Sequence, residues 1–296
     1  MRIHLSLALI ALGLAWPVRA ETLPIDCAAL PKAAKGAGYI LTEPPADPEA
    51  GWCVLDGAAL RATVTDRPDI LADRLRLRGT MADGVMVSLQ LEATGLRLRP
   101  KLSDRNLDDR LETLMRLQGA DLRFEASVNP ATDTLEIREL VLRLSGGTEL
   151  TVGADIRGAG PSARSLPGGS LTALDLDWRN DGNLPRPVME IAGERLGGGL
   201  KGTAAVDATR QALSALVEAL PDAAFDGGGK DPLARMVASL PQGRGRLLLS
   251  LTAPDGIGAA RLLIVGLSDD PLGPKALAAL LQGARLSVSW QPGLMP

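Results

Sequence analysis

The sequence predicts an α+β fold: one mainly antiparallel, curved β-sheet of amphipathic strands, with short helices packed on its apolar face. Two observations lead there. Between residues 119 and 179, apolar residues fall on every second position in successive segments: Leu122, Phe124, Ala126 and Val128, then Leu150, Val152, Ala154 and Ile156, then Leu174, Leu176 and Trp178. Side chains of a strand point to opposite faces in turn, so each segment buries one face and wets the other, as in an antiparallel sheet solvated on one side. Segments with helical periodicity are short and come in blocks between groups of strands, which favours α+β over a regular βαβ alternation.

Residues 1–20 read as a secretory signal peptide. Arg2 gives the positive start, residues 5–16 the apolar run, and Val18-Arg19-Ala20 a small-residue site that places cleavage between Ala20 and Glu21. The run is shorter than the ~20 residues a spanning helix needs, and no later stretch is long enough, so no stable membrane span is expected after cleavage. Cys27 follows Asp26, where an acylated cysteine would follow a small residue. Arg2, Arg19 and His4, the only histidine, leave with the leader. That leaves 30 basic against 35 acidic residues, a net charge of −5. An acidic chain with mixed charges does not suit a nucleic-acid backbone, which needs a basic face.

Cys27 and Cys53 are the only cysteines, and in an exported chain they are expected to pair. Closing that loop would restrict the unfolded chain by roughly 3 kcal/mol. Residues 21–66 therefore read as a disulfide-linked N-terminal segment, a short helix from Cys27 stapled to a strand near Trp52, and residues 67–296 as the sheet domain with its helices.

Along that domain, Leu75 and Leu77 alternate with Arg74, Arg76 and Arg78, and Val85, Val87, Leu89 and Leu91 return after a glycine turn. Ser103, Asp104 and Asn106 are candidate caps for a helix carrying Leu107, Leu111, Leu114 and Met115, which Gly119 stops. Leu135 and Ile137 share one parity while Leu140, Leu142 and Leu144 take the other, which predicts a bulge near Glu139. After Trp178 come helices around Ile191, around Leu213 and from Asp231-Pro232 through Leu240. Strands return at Leu247, Leu249 and Leu251 until Pro254-Asp255-Gly256, then at Leu262 and Ile264. A short helix carrying Leu277, Leu280 and Leu281 leads to a last strand through Leu286, Val288 and Trp290.

Three of these pieces resemble a group of uncharacterised exported proteins of alphaproteobacteria: the strand, Asp-Gly turn and helix of residues 171–197, the helix and Leu-rich strand of residues 233–254, and the helix and closing strand of residues 270–290. The resemblance covers the C-terminal half. More distantly, the repeated amphipathic strands are similar to AsmA-like and other lipid-groove proteins of the Gram-negative envelope. Neither resemblance implies catalytic residues.

Without histidine, the usual serine, cysteine or zinc sites cannot be assembled, and neither Ser-x-x-Lys nor Gly-x-Ser-x-Gly occurs. Gly229-Lys230 lacks the Ser or Thr of a phosphate loop. Asp175, Asp177 and Asp181 form the best carboxylate cluster, yet their spacing fits no calcium loop and suits a wetted strand face followed by a turn. Arg74, Arg76 and Arg78 line one strand face, where they would meet an anionic surface or simply water. The expectation is a periplasmic, non-catalytic envelope protein with no cofactor or metal, binding on its curved sheet either a lipid-like ligand, in a groove near Leu213, Leu233 and Leu249, or another envelope protein. The alternatives are a carboxylate-dependent hydrolase or calcium-binding protein centred on Asp177, and a structural domain with no ligand.

Overall fold

One open antiparallel sheet of 13 strands organises the chain, and seven α-helices accompany it among the described residues. The structure, a computed structural model, describes residues 22–293 apart from 44–47, 65–66, 83–84, 102–103, 130–131, 160–167, 197, 267–269 and 271. The leader, with Ala20 and Glu21, lies outside the described residues.

The N-terminal segment builds one end of the sheet. Its elements are β1 (Thr22–Pro24), a 3-10 turn (Cys27–Ala29), α1 (Leu30–Gly36), β2 (Tyr39–Leu41), β3 (Cys53–Asp56) and β4 (Ala59–Ala62). They join β5 (Asp69–Leu71), β6 (Arg74–Ala82) and the long β7 (Val85–Arg99). β7 holds two branches on one edge: β6, flanked by β1 and β3, along its first part, and β5, followed by β4 and β2, along its last. The fork falls where the register of β7 slips between Ala93 and Leu96, at Gly95, whose φ of +61° is left-handed. Beneath it Leu55, Ala58, Ala72 and Ala93 form a core with Leu30, Leu41, Leu75, Leu77 and Leu91 packed around them. The predicted disulfide is present: Cys27 and Cys53 tie the 3-10 turn to β3, and Cys53 is fully buried.

From β7 the chain runs through α2 (Arg105–Gln118), capped by Asp104 as expected, into a meander of β8 (Ala120–Asn129), β9 (Thr134–Leu144), β10 (Glu149–Arg157) and β11 (Ser170–Asn180). α3 (Pro185–Leu196), α4 (Gly202–Ala219) and α5 (Asp231–Ser239) follow before β12 (Gly245–Gly258), α6 (Ala259–Gly266), α7 (Pro274–Leu280) and β13 (Arg285–Pro292). Pro185 and Pro187 fit α3 because the first turn of a helix needs no intrahelical N–H. α3 and α4 approach closely at Gly193, and Thr209 Oγ1 donates to the Met189 carbonyl at 2.7 Å. Lys230 Nζ caps the end of α4 through the Glu218 and Leu220 carbonyls at 2.8 and 3.1 Å. At the end of β11 the buried Asn180 donates to the Gly243 carbonyl and accepts from Gly182 N, joining β11 to the chain entering β12.

One predicted strand is corrected. Leu262 and Ile264 lie on α6, not on a strand. β12 continues through Pro254-Asp255-Gly256, because its pairing with β11 passes from Thr252↔Ala173 to Ile257↔Leu171 and the residues between are absorbed as a bulge. The strand therefore ends later than a proline-led turn implies, and the next apolar residues fall in a helix.

Candidate functional site

Cross-strand pairing sorts the sheet into two chemically different faces. Paired residues share a face, and three apolar rows cross β7 to β13 in order. The first is Ala93, Leu122, Leu142, Leu150, Trp178, Leu247 and Trp290. The second is Leu91, Phe124, Leu140, Val152, Leu176, Leu249 and Val288, and the third Leu89, Ala126, Ile137, Ala154, Leu174, Leu251 and Leu286. The rows stay on one face because the predicted bulge near Glu139 is real: Glu125 pairs with Glu139 but Ala126 with Ile137, so Arg138 is passed over. In a regular strand Ile137 and Leu140, three residues apart, would point to opposite faces.

Coverage of this face is uneven. At the β13 end, Leu251, Ile257 and Leu286 are buried with Ala224 and Ala284, and Phe225, Leu249, Leu280 and Leu281 pack against them. Met189 on α3, Val206 on α4 and Leu240 form another cluster against Trp178. At the far ends of β8 and β9, Ala126 and Leu135 are buried with Ala159, and Phe124, Ile137 and Ile156 flank them. Between these clusters Leu140 and Leu142 on β9, Leu150 and Val152 on β10 and Leu176 on β11 are only half-buried, and none belongs to any described core cluster. They make a continuous apolar stretch across three strands.

The opposite face is a field of ion pairs, most of them between neighbouring strands. Arg76 pairs with Glu92, Arg123 with Glu139, Arg138 with Glu125, Arg143 with Glu149, and Arg179 with both Glu149 and Asp177. Arg246 grips Asp177 with two hydrogen bonds, from Nε at 2.8 Å and Nη2 at 2.7 Å. Those hydrogen bonds lead the causes that hold the Asp177 carboxyl below its ordinary value, and burial opposes them. Asp175 accepts from Ser250 Oγ at 2.7 Å beside a depression of about 500 Å³ over Gly153. Asp181 is buried apart from both. Burial pushes its carboxyl up, but hydrogen bonds from Asn183 and Thr148 outweigh it and the net shift is downward. These carboxylates have protein partners, and their geometry suits a strapped sheet surface better than acid–base or calcium chemistry. Among the described residues, no three His, Cys, Asp or Glu side chains converge as metal ligands.

The arginine row of β6 is likewise engaged. Arg74 meets Glu49 and Asp56, Arg76 meets Glu92, and Arg78 donates to Gln90 at 2.5 Å. The guanidinium carbons of Arg76 and Arg78 lie 4.7 and 4.5 Å from the ring centre of Trp52, so the indole stacks against both.

The three predicted groove residues do not converge. Leu213 packs in the helix cluster with Met189 and Trp178, Leu249 in the β12–β13 cluster with Phe225, and Leu233 is half-buried on α5. The open floor lies next to Leu249 in the middle row, on the strands before it. Its residues alternate as plainly as any in the sequence, but only the register reveals that they adjoin.

Compared with known proteins, the chain matches no protein-family model and no curated protein. Among the described residues no helix is long and apolar enough to cross a membrane.

Proposed function

We propose that this chain is a non-catalytic binding protein of the periplasm, exported with its leader removed after Ala20, that holds the apolar chain of a lipid-like amphiphile against the middle of its sheet. The observation that carries the reading is the half-buried floor of Leu140, Leu142, Leu150, Val152 and Leu176, continuous along its rows with residues that pack into clusters on either side. Side chains without polar atoms favour a ligand segment that needs no hydrogen bond, because a polar group placed there gives up water without a replacement partner. Length argues the same way. Between the packed Phe124 on β8 and Leu249 on β12 the middle row crosses four strand intervals, about 19 Å at the usual strand spacing, room enough for one acyl chain. One acyl chain spans half the hydrocarbon core of a bilayer, about 15 Å.

Protein purified under native conditions from the envelope that makes it tests the reading by native mass spectrometry and organic extraction. A bound amphiphile is expected, and it should be lost in a still-folded Val152→Asp protein. Val152 is the clean position, whereas Leu249 packs into a buried cluster and its change would disturb the core. A ligand-free chain that also takes up no added fatty acid would overturn the proposal. Intact mass of the same preparation checks export: a chain beginning at Glu21 is expected, and one retaining Met1 contradicts it.

A further inference from the structure

On the charged face, independently of the apolar stretch, we propose a second site: the depression over Gly153 binds a neutral saccharide through its hydroxyl groups. Two adjacent rows build it. Gly153, Asp175, Ser250 and Ser287 pair in turn across β10 to β13, and beside them run Thr151, Asp177, Leu248 and Ser289. Paired residues share a face, so the first row sets short side chains among the long arginine–carboxylate pairs of this surface. The depression that results, about 500 Å³, lies within the range of small-molecule sites. Its polar atoms are uncommitted where the surrounding ones are strapped. Among the described residues the exposed Asp175 accepts one side-chain hydrogen bond, from Ser250 to Oδ1, which leaves Oδ2 open, and the hydroxyls of Thr151, Ser287 and Ser289 have no partner.

This lining selects among ligand classes. An apolar ligand would take the hydroxyls and Asp175 from water without giving them a partner. An anion would face the carboxylates of Asp175 and Asp177, and Arg138 on the rim is already engaged by Glu125, as Arg246 is by Asp177. No three metal-ligating side chains converge among the described residues. A nucleobase would want an aromatic stacking partner, and none of the described lining residues is aromatic. A saccharide suits what is there. Each of its hydroxyls both donates and accepts, so it can donate to Asp175 Oδ2 and accept from Thr151, Ser287 or Ser289. Leu248, an apolar side chain on this wet face, offers surface to the C–H side of the ring.

Gly153 supplies a clean test. A Cβ built there lies 3.6 and 3.7 Å from the carbonyl oxygens of Ile137 and Arg138, ordinary contact, so Gly153→Thr fills the floor of the depression without displacing backbone, and a β-branched residue suits a strand. Saturation-transfer and amide-shift NMR of the mature protein with glucose, galactose, mannose, N-acetylglucosamine and maltose read binding and its place together. Transfer to at least one of these sugars is expected, with shifts centred on Thr151, Asp175, Ser250 and Ser287. Gly153→Thr should abolish it, and Asp175→Ala should weaken it by about tenfold or more, the usual effect of losing a hydrogen bond to a charged group, each in a protein with an unchanged unfolding midpoint. No transfer to any of these sugars, shifts that gather elsewhere on the molecule, or binding that survives either substitution undiminished overturns the site, and each of these outcomes leaves the lipid reading of the other face standing.

Discussion

At Gly193 a single methyl group would collide with a neighbouring helix. A Cβ built there falls 1.8 Å from the Ala205 carbonyl oxygen, in backbone that cannot swing away as a flexible side chain would. Gly193→Ala is therefore expected to cost about 1–3 kcal/mol, the usual range for overpacking a tight contact, read as a drop in the urea midpoint. Gly36, at the end of α1, has nothing within 4 Å of the same construction, so Gly36→Ala should leave the midpoint unchanged or raise it. Carboxylates give the second residue-scale expectation. Asp69, Asp177 and Asp181 all titrate below the ordinary carboxylate value. For Asp69 burial pushes upward, and the hydrogen bonds from Lys101 and from the Ala62 amide outweigh it. A folded pKa below the unfolded one, about 3.9, contributes stability above that pH and loses it as pH falls through the folded value. Stability should thus hold down to about pH 4 and fall steeply below it. Asp177→Asn should flatten part of that fall while costing about 1 kcal/mol at neutral pH, since the pair with Arg246 is partly exposed.

Elements were legible in the sequence where local chemistry decides them. Asp104 and Gly119 bound α2 as their side chain and lack of one require, and the switch of parity after Ile137 locates the β9 bulge. The misses have physical causes. α4 begins at Gly202, well before Leu213, because its first turns carry Ala204, Ala205 and Ala208, good helix formers too small to mark an apolar stripe. α6 imitates a strand because Leu262 and Ile264 alternate, and nothing local tells that β12 absorbs Pro254 in a bulge. The half-buried apolar stretch of Leu140, Leu142, Leu150, Val152 and Leu176 was the least legible feature. A leucine under a helix and a leucine under open space have the same sequence signature, and which of them adjoin depends on the register of several bulged strands. The disulfide is an element-scale matter too, since it holds the 3-10 turn and α1 over the end of the apolar face. Reduction should lower stability by about 3 kcal/mol in chemical unfolding, and alkylation of unreduced protein should find no thiol.

For the molecule as a whole, the described core divides into four clusters, and the apolar floor between them belongs to none. A ligand that binds there and not to the unfolded chain must raise the unfolding temperature. At a hundredfold excess over its dissociation constant it contributes about 2.7 kcal/mol, and Val152→Asp should abolish the rise. An apolar chain lying on β9, β10 and β11 is placed most directly by photo-crosslinking. A fatty acid bearing a diazirine near its methyl end, irradiated with the mature protein and mapped by peptide mass spectrometry, should label Leu140, Leu142, Leu150, Val152 or Leu176, with labelling suppressed by unmodified fatty acid. Labelling confined to the charged face around Asp177 and Arg246, or to the exposed leucines of α6, would contradict it.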